Sequence, residues 1–425
     1  MIAILFISFF VLLLINVPIA FALALACIFA LFYDGGIPLT IAPQRIYTGL
    51  ESFPLLAIPF FILAGSIMDK GGVSLKIINL ANTLVGHIRG GLAMITVVAS
   101  MIFASMTGSS TAATAAIGKI VVPPMNKKGY DKGFSAALVA ASGSLGSVIP
   151  PSITLIIFGV VASTSIGKLL IGGLIPGVLL GISLMIVSYI IAIIKKYPAE
   201  EKSTIKEIII SFFDSILALL MPIIMLGGIM LGFFTATEAA VVAIVYGGIV
   251  GMFIYKKLKI KDLPDIFYET ILISSMVILI IGVANLFGWI ITSLQLPQII
   301  ISSLTSITTN TYLIMFIIVL FLLFVGLFME ASAAIIILTP VLLPITNQIG
   351  IDPIHFGILM ISALAIGVIT PPMGVNLFVA SAITNLNIAT VIRHIWPFVI
   401  GLIIALLFIT YIPSLTTWLP SLVVK

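Results

Sequence analysis

Two short stretches hold most of the polar chemistry in an otherwise oily sequence. Ser105-Met106-Thr107-Gly108-Ser109-Ser110-Thr111 interrupts an apolar run from Gly91 to Val122, and Gly146-Ser147-Val148-Ile149-Pro150-Pro151 follows about 40 residues later. Proline has no N–H to donate and clashes with the carbonyl four residues back, so each proline pair predicts freed carbonyls, here near Gly146 and Ser147. Such carbonyls, with the hydroxyls of Ser109 and Ser110, form a hard oxygen cage suited to a dehydrated cation such as Na⁺. The same features recur downstream. Gly326, Met329, Glu330 and Ser332 mark one break, and Gly367-Val368-Ile369-Thr370-Pro371-Pro372 marks the other, with freed carbonyls expected at Gly367 and Val368 and a hydroxyl at Thr370. Helices starting after the prolines aim partial positive charge at the same centre, where an anionic group fits.

Glu330 reads as the one acid deep in an apolar environment. An intramembrane carboxylate is costly unless paired, which leaves three roles: cation ligand, proton carrier, or structural hydrogen bond across the tip. Glu238 opens a helix, where capping and the helix dipole account for a carboxylate. His87, His355 and His394 fall in expected interfacial segments without partners at metal-ligand spacing. Gly118-Lys119-Ile120 and Gly167-Lys168-Leu169 lack the Ser or Thr and the upstream glycine of a phosphate loop. Neither a Ser-His-Asp nor an HExxH arrangement occurs, so the chain does not read as an enzyme.

The elements that must position these residues follow from composition. Of 425 residues, 61% are hydrophobic and 8% charged. A soluble domain has roughly a quarter charged residues, which excludes one here. About 20 apolar residues cross a bilayer, and runs of that length recur to about ten crossings. The net charge of +5 comes from basic residues scattered through short loops, which does not describe a nucleic-acid surface. Cys27 is the single cysteine, so no intrachain disulfide forms. Ile2 to Phe32 is expected to be one retained membrane helix, too long for a signal-peptide core and without a basic leader.

Lys195–Lys206 and Lys256–Lys261 are the charged loops. Between them the runs Phe212–Phe234 and Ala236–Tyr255 meet at a turn near Thr235 without a basic residue. The positive-inside rule puts both loops in the cytoplasm and the turn outside, and, counting back, the N-terminus inside. Val73, Ile77, Ile78, Leu80, Ala81 and Leu84 recur at helical spacing with Lys76, Asn79 and Asn82 opposite, as in a helix lying along the interface.

A shift of 221 residues brings Asn126, Gly129, Asp131, Gly146, Pro150 and Pro151 onto Asn347, Gly350, Asp352, Gly367, Pro371 and Pro372. Ala112, Ala113, Pro123 and Leu138 also match Ala333, Ala334, Pro344 and Leu359, without a gap. The loop charges orient the two copies oppositely. The expected fold is therefore an all-α polytopic membrane protein with inverted-topology repeats, two re-entrant helical hairpins and two broken helices, the plan of a secondary transporter. Residues 1–90 form N-terminal scaffold helices and an interfacial arm, and 91–165 the first transport-domain repeat. Residues 166–310 supply scaffold helices and cytoplasmic loops, 311–385 the second repeat, and 386–425 a C-terminal helix.

Val17-Pro18-Ile19-Ala20-Phe21-Ala22-Leu23, Leu55 to Gly65, Gly86-His87-Ile88-Arg89-Gly90-Gly91-Leu92, Thr107-Gly108-Ser109-Ser110, Gly146 to Ser152 and Gly367 to Gly374 occur in that order. Together they resemble the large membrane subunit of TRAP (tripartite ATP-independent periplasmic) transporters, over essentially the whole chain. Thr107 stands where that family often has serine and keeps the hydroxyl. The resemblance implies an elevator-type importer of organic acids in the ion transporter superfamily, driven by Na⁺ and resident in the bacterial inner membrane. Its implied partners are a small four-helix membrane subunit and a periplasmic substrate-binding protein. It implies one sodium site from Ser109, Ser110, Gly146, Val148 and Pro150, and a second from Gly326, Glu330, Thr370 and Met373, mostly through main-chain oxygens. Substrate would lie near Ser147, Pro151 and Asn376. Members for C4-dicarboxylates, sialic acid and other carboxylates share these motifs, with sialic acid slightly favoured. A stand-alone Na⁺- or H⁺-coupled organic anion transporter or antiporter is the alternative. A channel is a third reading, though the two unlike tips offer no ring of equivalent ligands.

Overall fold

The computed structural model describes residues 1–423, and no β-strand occurs among them. The last two residues of the 386–425 segment thus lie outside the described residues. The expected single N-terminal helix is instead two, α1 (Ile2–Leu14) and α2 (Ile19–Asp34), which pack on each other. The break has a local cause. Asn16 takes a left-handed φ of 66°, Pro18 cannot continue the ladder, and the N–H groups of Asn16 and Val17 turn back to Leu13 and Leu12.

Next come α3 (Ile41–Leu50), α4 (Ala57–Lys70) and α5 (Val73–Val85). Helix α5 buries Val73, Ile77, Leu80 and Ala81 as the spacing suggests, but Ile78 is only half-buried and Leu84, expected on the same face, is exposed. The first hairpin is α6 (Gly91–Thr107) and α7 (Ser110–Lys127), and the first broken helix is α8 (Lys132–Ser144) and α9 (Ile153–Val161). Short α10 (Ile166–Gly172) and long α11 (Leu174–Ile194) close this half.

The connecting pair is α12 (Ile205–Met230) and α13 (Ala236–Ile249). Each starts at a capping box, Thr204 with Glu207 and Thr235 with Glu238. The first box starts α12 well before the expected Phe212, and the second bears out the capping reading of Glu238.

The second half runs through α14 (Leu263–Ser293), α15 (Leu296–Ile307), the hairpin α16 (Thr311–Gly326) and α17 (Ala331–Gln348), the broken helix α18 (Pro353–Gly367) and α19 (Val375–Thr384), then α20 (Ile388–Tyr411) and α21 (Ser414–Val423). The 221-residue shift extends further than its identities: α14 overlies α3 and α4, α15 overlies α5, and α20 overlies α11. Seven helical segments among the described residues are long and apolar enough to cross a membrane, and shorter apolar helices accompany them.

The repeated Asn-x-x-Gly-x-Asp motif proves to be a turn device. Gly129 and Gly350 take φ of 80° and 79°, which a side chain resists, and Asp131 and Asp352 then cap α8 and α18. The two copies interlock at the core. Helix α8 packs on α19 and α9 on α17, while α11 and α20 pack together at the flank. Between lipid-exposed helices, close packing replaces the hydrophobic drive. Phe158 shows it, fully buried 6.2 Å from the Phe356 ring in the space left by Gly357, where a Cβ would lie 2.3 Å from the Phe158 ring.

One histidine departs from the interfacial reading: His355 is 1% exposed and meets Thr416 at 2.9 Å. His394 is part-exposed, with Nε2 3.1 Å from Asp131. The loop after α11 straps the base of the first hairpin. Tyr197 stacks on Tyr130 at 4.3 Å, its hydroxyl accepts from the Asp131 N–H, and Glu200 pairs with Lys128. Burial against this stack pushes the Tyr130 hydroxyl up to about 12.

Candidate functional site: the hairpin tips and helix breaks

Gly108 turns the first tip with φ of 60°, freeing Ser109 to adopt an extended backbone and cap α7 by accepting the Ala112 N–H. Ser109 Oγ also lies 3.3 Å from Thr111 Oγ1. The break between α8 and α9 presses against this tip. A Cβ on Gly146 would stand 2.6 Å from the Ser109 carbonyl oxygen and 2.9 Å from Ser110 N. One on Gly108 would stand 2.8 Å from the Pro151 carbonyl oxygen, and Ile153 N–H donates to the Gly108 carbonyl. Ser109, Ser110 and Gly146 are therefore brought together, and Val148 and Pro150 are buried.

The second tip repeats the contact. A Cβ on Gly326 would meet Gly367 Cα at 2.8 Å, and one on Gly367 would meet Gly326 Cα at 2.4 Å. Two glycines thus let the hairpin backbone touch the broken helix. The copies differ in exposure: Pro150 and Pro151 are buried, whereas Pro372 and Met373 are exposed.

Several carbonyls expected to be free are occupied. The Ser147 carbonyl accepts from Ser152 Oγ at 2.5 Å and Thr154 Oγ1 at 2.6 Å. The Gly367 carbonyl accepts from Thr370 N–H and the Val368 carbonyl from Asn376 N–H. The chain's own hydroxyls and the turn after each break re-satisfy what proline frees, as buried backbone requires. Thr370 Oγ1 is likewise engaged, donating to the Ile366 carbonyl at 2.7 Å.

Glu330 is exposed, not deeply buried. Its carboxylate caps α17, accepting from Ser332 N, Ala333 N and Ser332 Oγ at 2.8, 3.2 and 3.0 Å. An Asp- or Glu-like acceptor just before an apolar helix is a capping signal, and the depth assumed for the tip obscured it.

Asn376 bridges the copies. It is fully buried, accepts from Ser110 Oγ at 3.4 Å and donates to the Ala140 carbonyl at 3.3 Å. Ser147 is also buried, but its carbonyl is turned into its own break.

Sequence reasoning missed three charged residues. A cavity of about 400 Å³ beside the first tip is lined by Thr107, Ser109 and Thr111 and, from α4 and α14, by Asp69, Lys70 and Glu269. Their signal was present: Asp69 and Lys70 end an apolar run, and Glu269 interrupts one.

The family model described as "Tripartite ATP-independent periplasmic transporter, DctM component" matches residues 6–415. The C4-dicarboxylate TRAP transporter large permease protein DctM of Pseudomonas aeruginosa is 43% identical over 89% of this chain and 88% of its own. The sialic acid TRAP transporter large permease protein SiaM of Vibrio cholerae is 37% identical over 96% and 95%. The isethionate TRAP transporter permease protein DctMQ of Oleidesulfovibrio alaskensis is 42% identical over 97% of this chain, which spans only 65% of that protein's length. Among solved structures, the YdaH transporter of Alcanivorax borkumensis shares the fold, with a TM-score of 0.66 at 13% identity over 90% of each chain.

Proposed function

This chain belongs to the DctM component family of the tripartite ATP-independent periplasmic transporters, and from that membership together with the tip geometry we infer a Na⁺-coupled importer of an organic acid anion. It is a large permease of the cytoplasmic membrane and a secondary transporter, not an enzyme. It works with a small membrane subunit and a periplasmic binding protein that delivers the acid. The relatives' acids, C4-dicarboxylates, sialic acid and isethionate, define the substrate class: small organic anions bearing a carboxylate or sulfonate.

One observation supports the sodium proposal: the backbone of Ser109 and Ser110 lies so close against Gly146 that a Cβ there would stand 2.6 Å from the Ser109 carbonyl oxygen. Na⁺ travels there as co-substrate, held by Ser109 and Ser110 with main-chain oxygens of Gly146, Val148 and Pro150. A second ion sits where Gly326 meets Gly367, with main-chain oxygens of Thr370 and Met373, while the Glu330 side chain holds the helix start. The anion lies toward Asn376, between the tips, with Ser147 and Pro151 shaping the wall. The interlocked repeats travel as one body against α3, α4 and α14 in an elevator movement.

Co-reconstituting the chain with its small subunit and binding protein tests this. Uptake of a cognate acid is expected to vanish when the binding protein is omitted and to be indifferent to ATP. Undiminished uptake without the binding protein would replace this reading with the stand-alone carrier.

A further inference from the structure

A second cavity, of about 520 Å³, opens between Arg45 and Ser52 on the α3 side, Asn285 and Trp289 of α14, Ser163 after α9, and Pro340 of α17. It borders a depression that joins Ser52 and Ser163 to Thr235, the turn at the opposite end of α12 from the basic Lys195–Lys202 loop. Positive-inside counting puts that turn, and with it this cavity, on the outer side. Inverted symmetry says the same: Thr48 and Ser52 here correspond, at the 221-residue shift, to Glu269 and Ile273 lining the cavity beside the first tip.

The electrostatics of the two differ. Asp69 and Glu269 line the inner cavity, whereas no carboxylate lines the outer one. The half-buried Arg45 guanidinium lies 5.1 Å over the Trp289 ring, and among the described residues no carboxylate stands within 4.0 Å of it. A cation–π stack holds the guanidinium by its face and leaves its N–H edge free, the geometry that takes a carboxylate or sulfonate through paired hydrogen bonds. Ser52, Ser163 and Asn285 offer further donors around the same space.

We propose that the Arg45–Trp289 cavity is an external capture site for the acidic group of the transported anion, occupied before the anion reaches the tips. The assignment rests on the importer reading. Its walls come from both bodies, α3 and α14 on one side and Pro340 of the second hairpin on the other, so movement between them opens or closes it.

Protection from thiol labelling tests it on the full chain. Ser163 is exposed at the cavity, and the single native cysteine, Cys27, is fully buried, so Ser163→Cys gives one reactive thiol. With the assembled complex in vesicles of neutral phospholipid, external succinate or isethionate is expected to slow labelling by a membrane-impermeant maleimide at least fivefold, and succinamide not at all. Adding Arg45→Gln should abolish protection while leaving the unprotected rate unchanged, and Arg45→Lys, which keeps charge but not the planar fork, should retain only part of it. If Arg45→Gln misfolds, the Arg45→Lys loss decides. Protection that is absent, or survives Arg45→Gln, overturns the proposal. Protection by anionic phospholipid and inorganic phosphate but not by organic acids also overturns it, in favour of a lipid headgroup site. Uptake is scored separately: a sodium-driven carrier without Arg45-dependent protection sinks the capture site alone, whereas protection without any uptake sinks the importer reading alone.

Discussion

Ser110 and Asn376 are 266 residues apart in sequence, yet Ser110 Oγ donates to Asn376 Oδ1 at 3.4 Å. The first residue of a helix in one hairpin is thereby fixed to the second residue of a helix after the opposite copy's break. The Asn376 amide also reaches back to Ala140 in α8, so one buried side chain spans three elements.

Asn376→Leu should therefore destabilise more than Ser110→Ala. Replacing Asn376 strands the Ser110 hydroxyl and puts a larger apolar group into a fully buried slot, at a cost of about 1–3 kcal/mol. Ser110→Ala also takes the donor from Asn376 Oδ1, but it adds no bulk and leaves the Asn376 bond to Ala140 in place, so its cost falls at about 0.5–1.5 kcal/mol. Thermal unfolding in detergent reads the order, and equal shifts would mean that Asn376 is not the joint.

Gly146→Ala and Gly367→Ala should each cut transport at least tenfold. Their methyls would stand 2.6 Å from the Ser109 carbonyl oxygen and 2.4 Å from Gly326 Cα. Both obstacles are backbone, so the tip must shift, an overpacking penalty of about 1–3 kcal/mol. Full uptake by either variant, with expression matched, argues against tip-to-break contact in the working carrier.

Glu330→Ala should lower stability by about 1 kcal/mol through loss of the cap, and Glu330→Gln, which still offers an acceptor oxygen, by less. Half-saturating sodium should change less than threefold in the Gln variant. A shift beyond tenfold would restore a charged-ligand role for this carboxylate.

Much of this was legible in the sequence because membrane depth constrains backbone strongly. A hairpin or break leaves polar residues and proline pairs that no plain crossing helix needs, and the Pro150-Pro151 and Pro371-Pro372 pairs stand out for that reason. What a side chain does with its hydrogen bonds was not legible. Ser147 looked like a freed carbonyl until Ser152 and Thr154 were seen to fill it, and Glu330 looked buried because its tip was placed by helix length alone. Arg45 escaped attention because a lone arginine in an amphipathic segment has no pattern; only Trp289, 244 positions away, gives it a site.

Gly288→Cys paired with Pro340→Cys should arrest an elevator. A Cβ on Gly288 would lie 3.0 Å from Pro340 Cβ, near the separation a disulfide takes, and the pair joins α14 to the second hairpin. Oxidation should stop uptake and a reductant should restore it. Normal uptake by fully cross-linked protein would mean that α14 and the hairpin move together.

Initial uptake of the cognate acid by the reconstituted complex, compared in sodium and choline at equal membrane potential, tests the central claim most directly. The account predicts uptake only with sodium, saturating with its concentration and weakened when Ser109 and Ser110 are both replaced by alanine. Equal uptake in sodium and choline would contradict it.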